Sequence, residues 1–175
     1  MSIKRLVLGC GCFWCTEAVF SNIKGVKSVI SGYTGGRRPN PTYENICSGV
    51  SGHAEIVDIE YDSDIISLKD LLKVFFSTHN PTTLNVQGAD KGTQYRSVIY
   101  YENDEDKETI EKSINKAQKN FCDKIVTGVS KLGVVYKAED YHQNYYKLNS
   151  NQGYCQAVIK PKVEKVMIKF PQFLD

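Results

Sequence analysis

Between Ile3 and Tyr101 the chain spells two strand–helix–strand units in succession, and that order limits the fold more than any other feature. Ile3 to Leu8 is a short apolar run suited to a buried strand, and Val19, Phe20 and Ile23 fall at helical spacing within Phe13 to Ile23. Val26 to Tyr33 and Ala54 to Tyr61 alternate as strands. Ser67, with Asp70 three residues on, opens a helix whose stripe of Leu68, Leu71, Leu72, Phe75 and Phe76 stops before Pro81. Pro81 to Gly92 reads as a polar loop and Tyr95 to Tyr101 as a strand. Asp104 to Phe121 reads as a helix burying Ile110, Ile114, Ala117 and Phe121, with Glu108 and Lys112 supporting it one turn apart. Val129 to Tyr136 predicts a last strand and Asp140 to Leu148 a short helix. The predicted fold is α+β: one domain over residues 1–175, a two-layer sandwich on a split βαβ (ferredoxin-like) core. It has a mixed sheet, helices on one face and an irregular C-terminal segment.

Composition sets the boundaries of function. With 175 residues, 41% of them hydrophobic, the chain has enough apolar material for one continuous core. Lys and Arg number 22 against 20 Asp and Glu, a net charge of +2, which excludes a nucleic-acid surface or a membrane-directed charge field. Arg37-Arg38 and the lysines from Lys160 to Lys169 lie among polar or turn-forming residues and read as solvated surface. The apolar run Leu6 to Leu8 is too short for a secretory core, and no stretch approaches a membrane span. The expectation is a cytoplasmic, monomeric protein whose six cysteines are reduced.

The densest chemical signal is Gly9-Cys10-Gly11-Cys12-Phe13-Trp14-Cys15-Thr16-Glu17, where the first strand meets the first helix. A helix N-terminus presents unpaired N–H groups and the positive end of the helix dipole, so Cys12 is expected to be a reactive thiol with a lowered pKa. Cys12 and Cys15 also form a C-x-x-C pair, which fits a thioredoxin-like redox centre or half of a zinc site. Zinc is the weaker reading, because Cys47, Cys122, Cys155, His53, His79 and His142 are scattered without metal-type spacing. A thiol hydrolase using His53 or His142 as base ranks below redox chemistry, since a lone histidine is more often a hydrogen-bonded structural residue.

In several blocks the sequence resembles the methionine sulfoxide reductase A family, and the match runs through almost the whole chain. Gly11-Cys12-Phe13-Trp14 is similar to the family's nucleophile motif, Gly32-Tyr33-Thr34-Gly35-Gly36 to its next glycine turn, and Gly52-His53-Ala54-Glu55 to its acidic motif. Gln87 to Ser97 and Ala138 to Gln143 resemble two further blocks. The resemblance implies a split βαβ fold and reduction of methionine sulfoxide, free or in peptides and proteins, with the S epimer at sulfur as substrate. It implies that Cys12 is the nucleophile and Glu55 the proton donor. Tyr43 and Tyr95 would bond the sulfoxide oxygen, Asp90 would join that network, and Phe13 and Trp14 would wall the ε-methyl pocket. The chemistry is coherent: oxide leaves sulfur poorly unless protonated, and a desolvated carboxyl group holds a proton near neutral pH.

The same resemblance implies a Cys12 sulfenic acid, resolved as a disulfide and recycled by an external thiol reductant such as thioredoxin. Gly153-Tyr154-Cys155 is similar to the family's recycling segment, which makes Cys155 the expected resolving thiol. No cysteine follows it, and Cys15 stands where many relatives have glycine, so a local Cys12–Cys15 route stays open. Cys10, Cys47 and Cys122 are given no redox role. No metal or cofactor is expected, and the family includes members with selenocysteine at the nucleophile.

Overall fold

The computed structural model describes all of residues 1–175. In chain order the elements are β1 (Ile3–Gly9), α1 (Phe13–Phe20), β2 (Val26–Thr34), α2 (Tyr43–Cys47), β3 (Ala54–Asp62), α3 (Leu68–Thr78), β4 (Val86–Gln87) and β5 (Asp90–Lys91). There follow β6 (Val98–Tyr101), α4 (Asp104–Gln118), β7 (Gly128–Lys131), β8 (Tyr136–Lys137), α5 (Tyr145–Leu148) and α6 (Lys160–Lys169). The main sheet runs β7-β6-β1-β3-β2-β8, and β4 with β5 forms a separate two-stranded hairpin. Its four inner strands, β6-β1-β3-β2, are antiparallel neighbours in the order of a split βαβ core, while β7 joins β6 in parallel. The sheet is therefore mixed, as expected, and the fold is α+β.

The pleat explains which face carries the helices. Leu6 and Leu8 of β1, with Val57, Ile59 and Tyr61 of β3, enter the large core against Phe20, Leu72, Phe75 and Val163 from the helices. Val7, Ala54 and Ile56, one residue out of phase, face a small cluster with Val98 and Tyr100 that Leu132 and Val135 cover. Ser67 caps α3 by accepting from the Asp70 N–H at 3.1 Å, as the motif predicts. No helix is long and apolar enough to cross a membrane.

Several expected boundaries shift. The predicted strand from Val129 to Tyr136 is two short strands, β7 and β8, on opposite edges of the sheet, so the chain between them crosses the sheet's smaller apolar face. Tyr95 ends a short 3₁₀ turn, and the strand begins only at Val98. Residues 140–148 form a 3₁₀ turn and α5, with Asn144 between them at φ 53°. The expected irregular C-terminal segment is regular beyond residue 154: a π-helical turn at Cys155–Ile159 continues into α6. Cys155, Ile159, Val163, Val166 and Phe170 are its buried stripe, at helical spacing. Pro161 reads by sequence as a helix breaker, but it sits at the start of α6, directly after the wider π turn, where a missing N–H is tolerated.

Candidate active site

Two glycines let the strands and the thiol loop converge. A Cβ on Gly9 would stand 2.7 Å from the Glu55 carbonyl oxygen, so only glycine allows β1 to lie this close to β3. Gly11 has φ 101° and would also press on Gln87, which fixes glycine immediately before Cys12. Cys12 is the N-cap of α1, with extended backbone, and its carbonyl accepts from the N–H of Cys15 at 3.1 Å. Its side chain makes no capping bond to the helix. The helix's first free N–H, that of Phe13, donates instead to Glu55 Oε1 at 3.2 Å. A carboxyl group and a thiol thus share one helix start.

Their electrostatics follow from burial. Glu55 is 1% exposed, and desolvation pushes its carboxyl up to about 8, with Asp90 adding to the rise and the Phe13 N–H opposing it. Glu55 thus holds a proton through neutral pH. The thiols depart from expectation. A hydrogen bond to Cys15, burial and the neighbouring Glu55 all push the Cys12 thiol up, and the same shared proton takes Cys15 down. Of the helix-start donors expected to lower Cys12, the Phe13 N–H is engaged by Glu55, and the downward pull of the Trp14 N–H is smaller than the effects that raise the thiol. With Glu55 protonated, its charge no longer opposes ionisation of Cys12.

The other predicted residues close around this pair. Burial first raises the phenols of Tyr95 and Tyr43, with Glu55, Asp90 and Cys12 adding to the rise at Tyr95, and a hydrogen bond with Cys47 and then Glu55 adding to it at Tyr43. Both therefore remain hydrogen-bond donors. Asp90 accepts from the Tyr154 hydroxyl at 3.3 Å, and that same hydroxyl lies 3.8 Å from Cys15 Sγ. Phe13 is buried against Tyr33 and His142, with ring centroids 5.7 and 5.0 Å away. Trp14 stacks on Tyr145 at 3.7 Å and its indole N–H donates to His142 Nδ1 at 3.0 Å. Cys155 is the exception to convergence on the cleft: it is fully buried in the core and senses Cys15, not Cys12.

Sequence reasoning left four supporting residues without a role. Glu17 is buried and accepts from the Asn144 N–H at 2.7 Å and the Ser31 hydroxyl at 3.3 Å, tying α1 to the C-terminal region. Glu139 accepts from Tyr33 and Tyr141 hydroxyls and from the Tyr43 N–H at 3.1 Å, which sets the start of α2. His142 packs against Tyr43 at 4.6 Å and anchors Trp14, and Tyr154 covers the thiols. Glu17, Glu139 and His142 lie in or beside recognised blocks, so proximity to a motif was the available signal. Neither candidate base for a thiol hydrolase meets Cys12. His53 accepts the Gly36 N–H and bonds the Arg38 carbonyl, bracing that loop, and His142 is occupied by Trp14. A cavity of about 670 Å³ between α3, α4 and the end of α6 touches none of these residues.

A buried thiol at a helix start, opposite a buried carboxyl group that stays protonated at pH 7 and with no histidine beside it, fits a thiol oxidoreductase better than a hydrolase. The comparisons with known proteins agree. The family profile described as peptide methionine sulfoxide reductase matches residues 4–173. A "Peptide methionine sulfoxide reductase MsrA" of Polynucleobacter asymbioticus is 52% identical over 175 residues, covering 99% of this chain and 92% of that protein. Reduced Mxr1 from Saccharomyces cerevisiae superposes with a TM-score of 0.84 at 33% identity, covering 88% of this chain and 90% of that one. Mxr1 in complex with Trx2 superposes with a TM-score of 0.60 at 25% identity, covering 82% and 85%. The chain belongs to the peptide methionine sulfoxide reductase family. It is an oxidoreductase that reduces methionine sulfoxide by thiol chemistry.

Proposed function

We propose that Cys12 attacks the sulfur of the S epimer of methionine sulfoxide while Glu55 protonates the departing oxygen. The observation that carries this assignment is the Glu55 carboxyl group, held up to about 8 and bonded to the N–H beside Cys12. Cys12 thiolate, the sulfoxide and the Glu55 proton yield methionine, Cys12 sulfenic acid and Glu55 carboxylate. Tyr43 and Tyr95, both protonated and facing Glu55, donate to the sulfoxide oxygen, and Asp90 orients that network through Tyr154. Phe13 and Trp14 supply the apolar wall for the ε-methyl group.

Residues 1–175 act as one catalytic unit, a cytoplasmic monomer without metal or cofactor, on sulfoxide free or within peptides and proteins. Oxidised enzyme is recycled through Cys155 by a dithiol protein of the thioredoxin class, a reading supported by the complex of its structural neighbour Mxr1 with Trx2. Supplying the two separated sulfoxide epimers with dithiothreitol tests the assignment. Methionine from the S epimer alone is expected; equal turnover of both epimers would overturn the stereochemistry, and no turnover of either would overturn the function.

A further inference from the structure

Three buried thiols, Cys12, Cys15 and Cys155, lie on or beside α1, and the attack on the sulfoxide uses only the first. Cys12 is the N-cap and Cys15 the third residue of the helix, two positions whose side chains face each other across the first turn. The backbone bond from the Cys15 N–H to the Cys12 carbonyl, 3.1 Å, closes that turn, and the two thiols share a hydrogen bond. Trp14 does not intervene, because its ring is turned away onto Tyr145 and His142. Cys155 is a different case. It lies inside the core beside Cys15, and the Tyr154 hydroxyl occupies the space next to Cys12 and Cys15.

We infer that Cys15 captures the Cys12 sulfenic acid first, and that Cys155 receives the disulfide only by exchange with Cys15. The inference rests on the proposed sulfoxide chemistry at Cys12. Two effects set the order. Cys15 stands one helical turn from the reacting sulfur, its backbone already bonded to that of Cys12, whereas a direct attack by Cys155 requires Tyr154 and its own core packing to move first. The exchange needs less displacement, because Cys155 borders Cys15 and begins a π-helical turn, a backbone geometry often found at functional sites.

The steps balance. Cys15 thiolate attacks the Cys12 sulfur, an S–S bond forms, and the hydroxyl leaves as water with one added proton. Cys155 thiolate then attacks Cys15 Sγ, and Cys12 departs as thiolate, taking up the proton that Cys155 released. The Cys15–Cys155 disulfide accepts two electrons from an external dithiol. Cys12 is free for the next substrate before that reduction takes place.

Rapid-quench peptide mapping decides it, with one equivalent of methionine sulfoxide, no reductant, and a cyclic 1,3-dione to tag sulfenic acid. Wild type is expected to give Cys12–Cys15 before Cys15–Cys155, and Cys155→Ser is expected to stop at Cys12–Cys15. Cys15→Ser, with Cys15→Ala as a second variant, should lengthen the life of the Cys12 sulfenic acid by about tenfold or more. Disulfide formation between Cys12 and Cys155 at the wild-type rate in either Cys15 variant would overturn the relay. So would a Cys155→Ser enzyme that keeps its sulfenic acid and forms no Cys12–Cys15 bond, an arm that stands even if the Cys15 variants fail to fold. Failure of the underlying chemistry looks different: wild type would release no methionine at all.

Discussion

The two ends of the proposed redox path sit in contrasting kinds of structure. Cys12 follows a strand hydrogen-bonded on both sides, to β3 and to β6, and its partner Glu55 lies on β3, itself flanked by β1 and β2. The region from Glu139 to Cys155 has only the two-residue pairing of β8 with β2 before it and is held mainly by side chains. Gln143 accepts from the Ser31 N–H at 3.0 Å and donates to its carbonyl at 2.9 Å, while Glu17 holds the Asn144 N–H. Backbone ladders fix atoms that must meet within a hydrogen bond during proton transfer, whereas side-chain anchors let a segment shift for thiol exchange.

Breaking the rigid half should have the largest effect. Cys12→Ser is expected to abolish sulfoxide reduction while the fold remains, because serine keeps the shape and lacks the nucleophilicity. Methionine release measured at matched folded concentration checks this, and retained turnover would remove Cys12 from the chemistry. Glu55→Gln keeps hydrogen bonding but has no proton to give, so single-turnover reduction should slow by about a hundred- to ten-thousand-fold. The wild-type step should also carry a pH signature. Glu55 donates only while protonated and Cys12, its thiol held well above the ordinary value, attacks only as thiolate, so the rate climbs with pH and levels off as Glu55 loses its proton through about 8. A first turnover that climbs past pH 8 without that break in wild type would reassign the donor to Tyr43 or Tyr95.

The same contrast explains how much was legible in the sequence. Leu6, Val7 and Leu8, and the alternation from Ala54 to Tyr61, state the central strands directly, because two-sided burial leaves little freedom of residue type. Cys12, Phe13, Trp14, Glu55, Asp90 and Tyr95 stand in ordered motifs of the sequence, whereas Tyr43 lies outside them and came only with the resemblance they carry. The C-terminal helix was not legible, since Pro161 interrupts the pattern and its charged outer face conceals the stripe from Cys155 to Phe170. Nor was the Cys12 thiol's raised pKa. It arises first from the hydrogen bond with Cys15 and from burial, and then from Glu55, which the Phe13 N–H holds beside Cys12 across 42 positions that no local window spans.

Ile159→Ala tests whether the C-terminal helix belongs to the core or only lies on it. Ile159 is fully buried in the large cluster, and truncating such a side chain costs about 3 kcal/mol when the cavity cannot collapse. Urea unfolding should show that loss in a single transition. A separate early transition, with the main one unmoved, would make the helix an independent unit and sharpen the contrast between the two regions further.

The smallest effect is expected at the seam. The buried Glu17 carboxylate accepts from both Asn144 and Ser31, and burial raises its pKa against the pull of those same bonds. Glu17→Gln keeps one acceptor oxygen but turns an amide NH₂ toward one of the two donors, at a cost of about 1 kcal/mol. The penalty should be local, because β1 and β3 keep their ladders while the turn at Asn144 loses its best anchor. Hydrogen exchange is expected to quicken from residue 139 to 155 and stay unchanged in β1 and β3. Equal quickening in the strands would mean that the seam holds the whole domain together, and the division into a fixed proton-transfer frame and a movable thiol segment would fail.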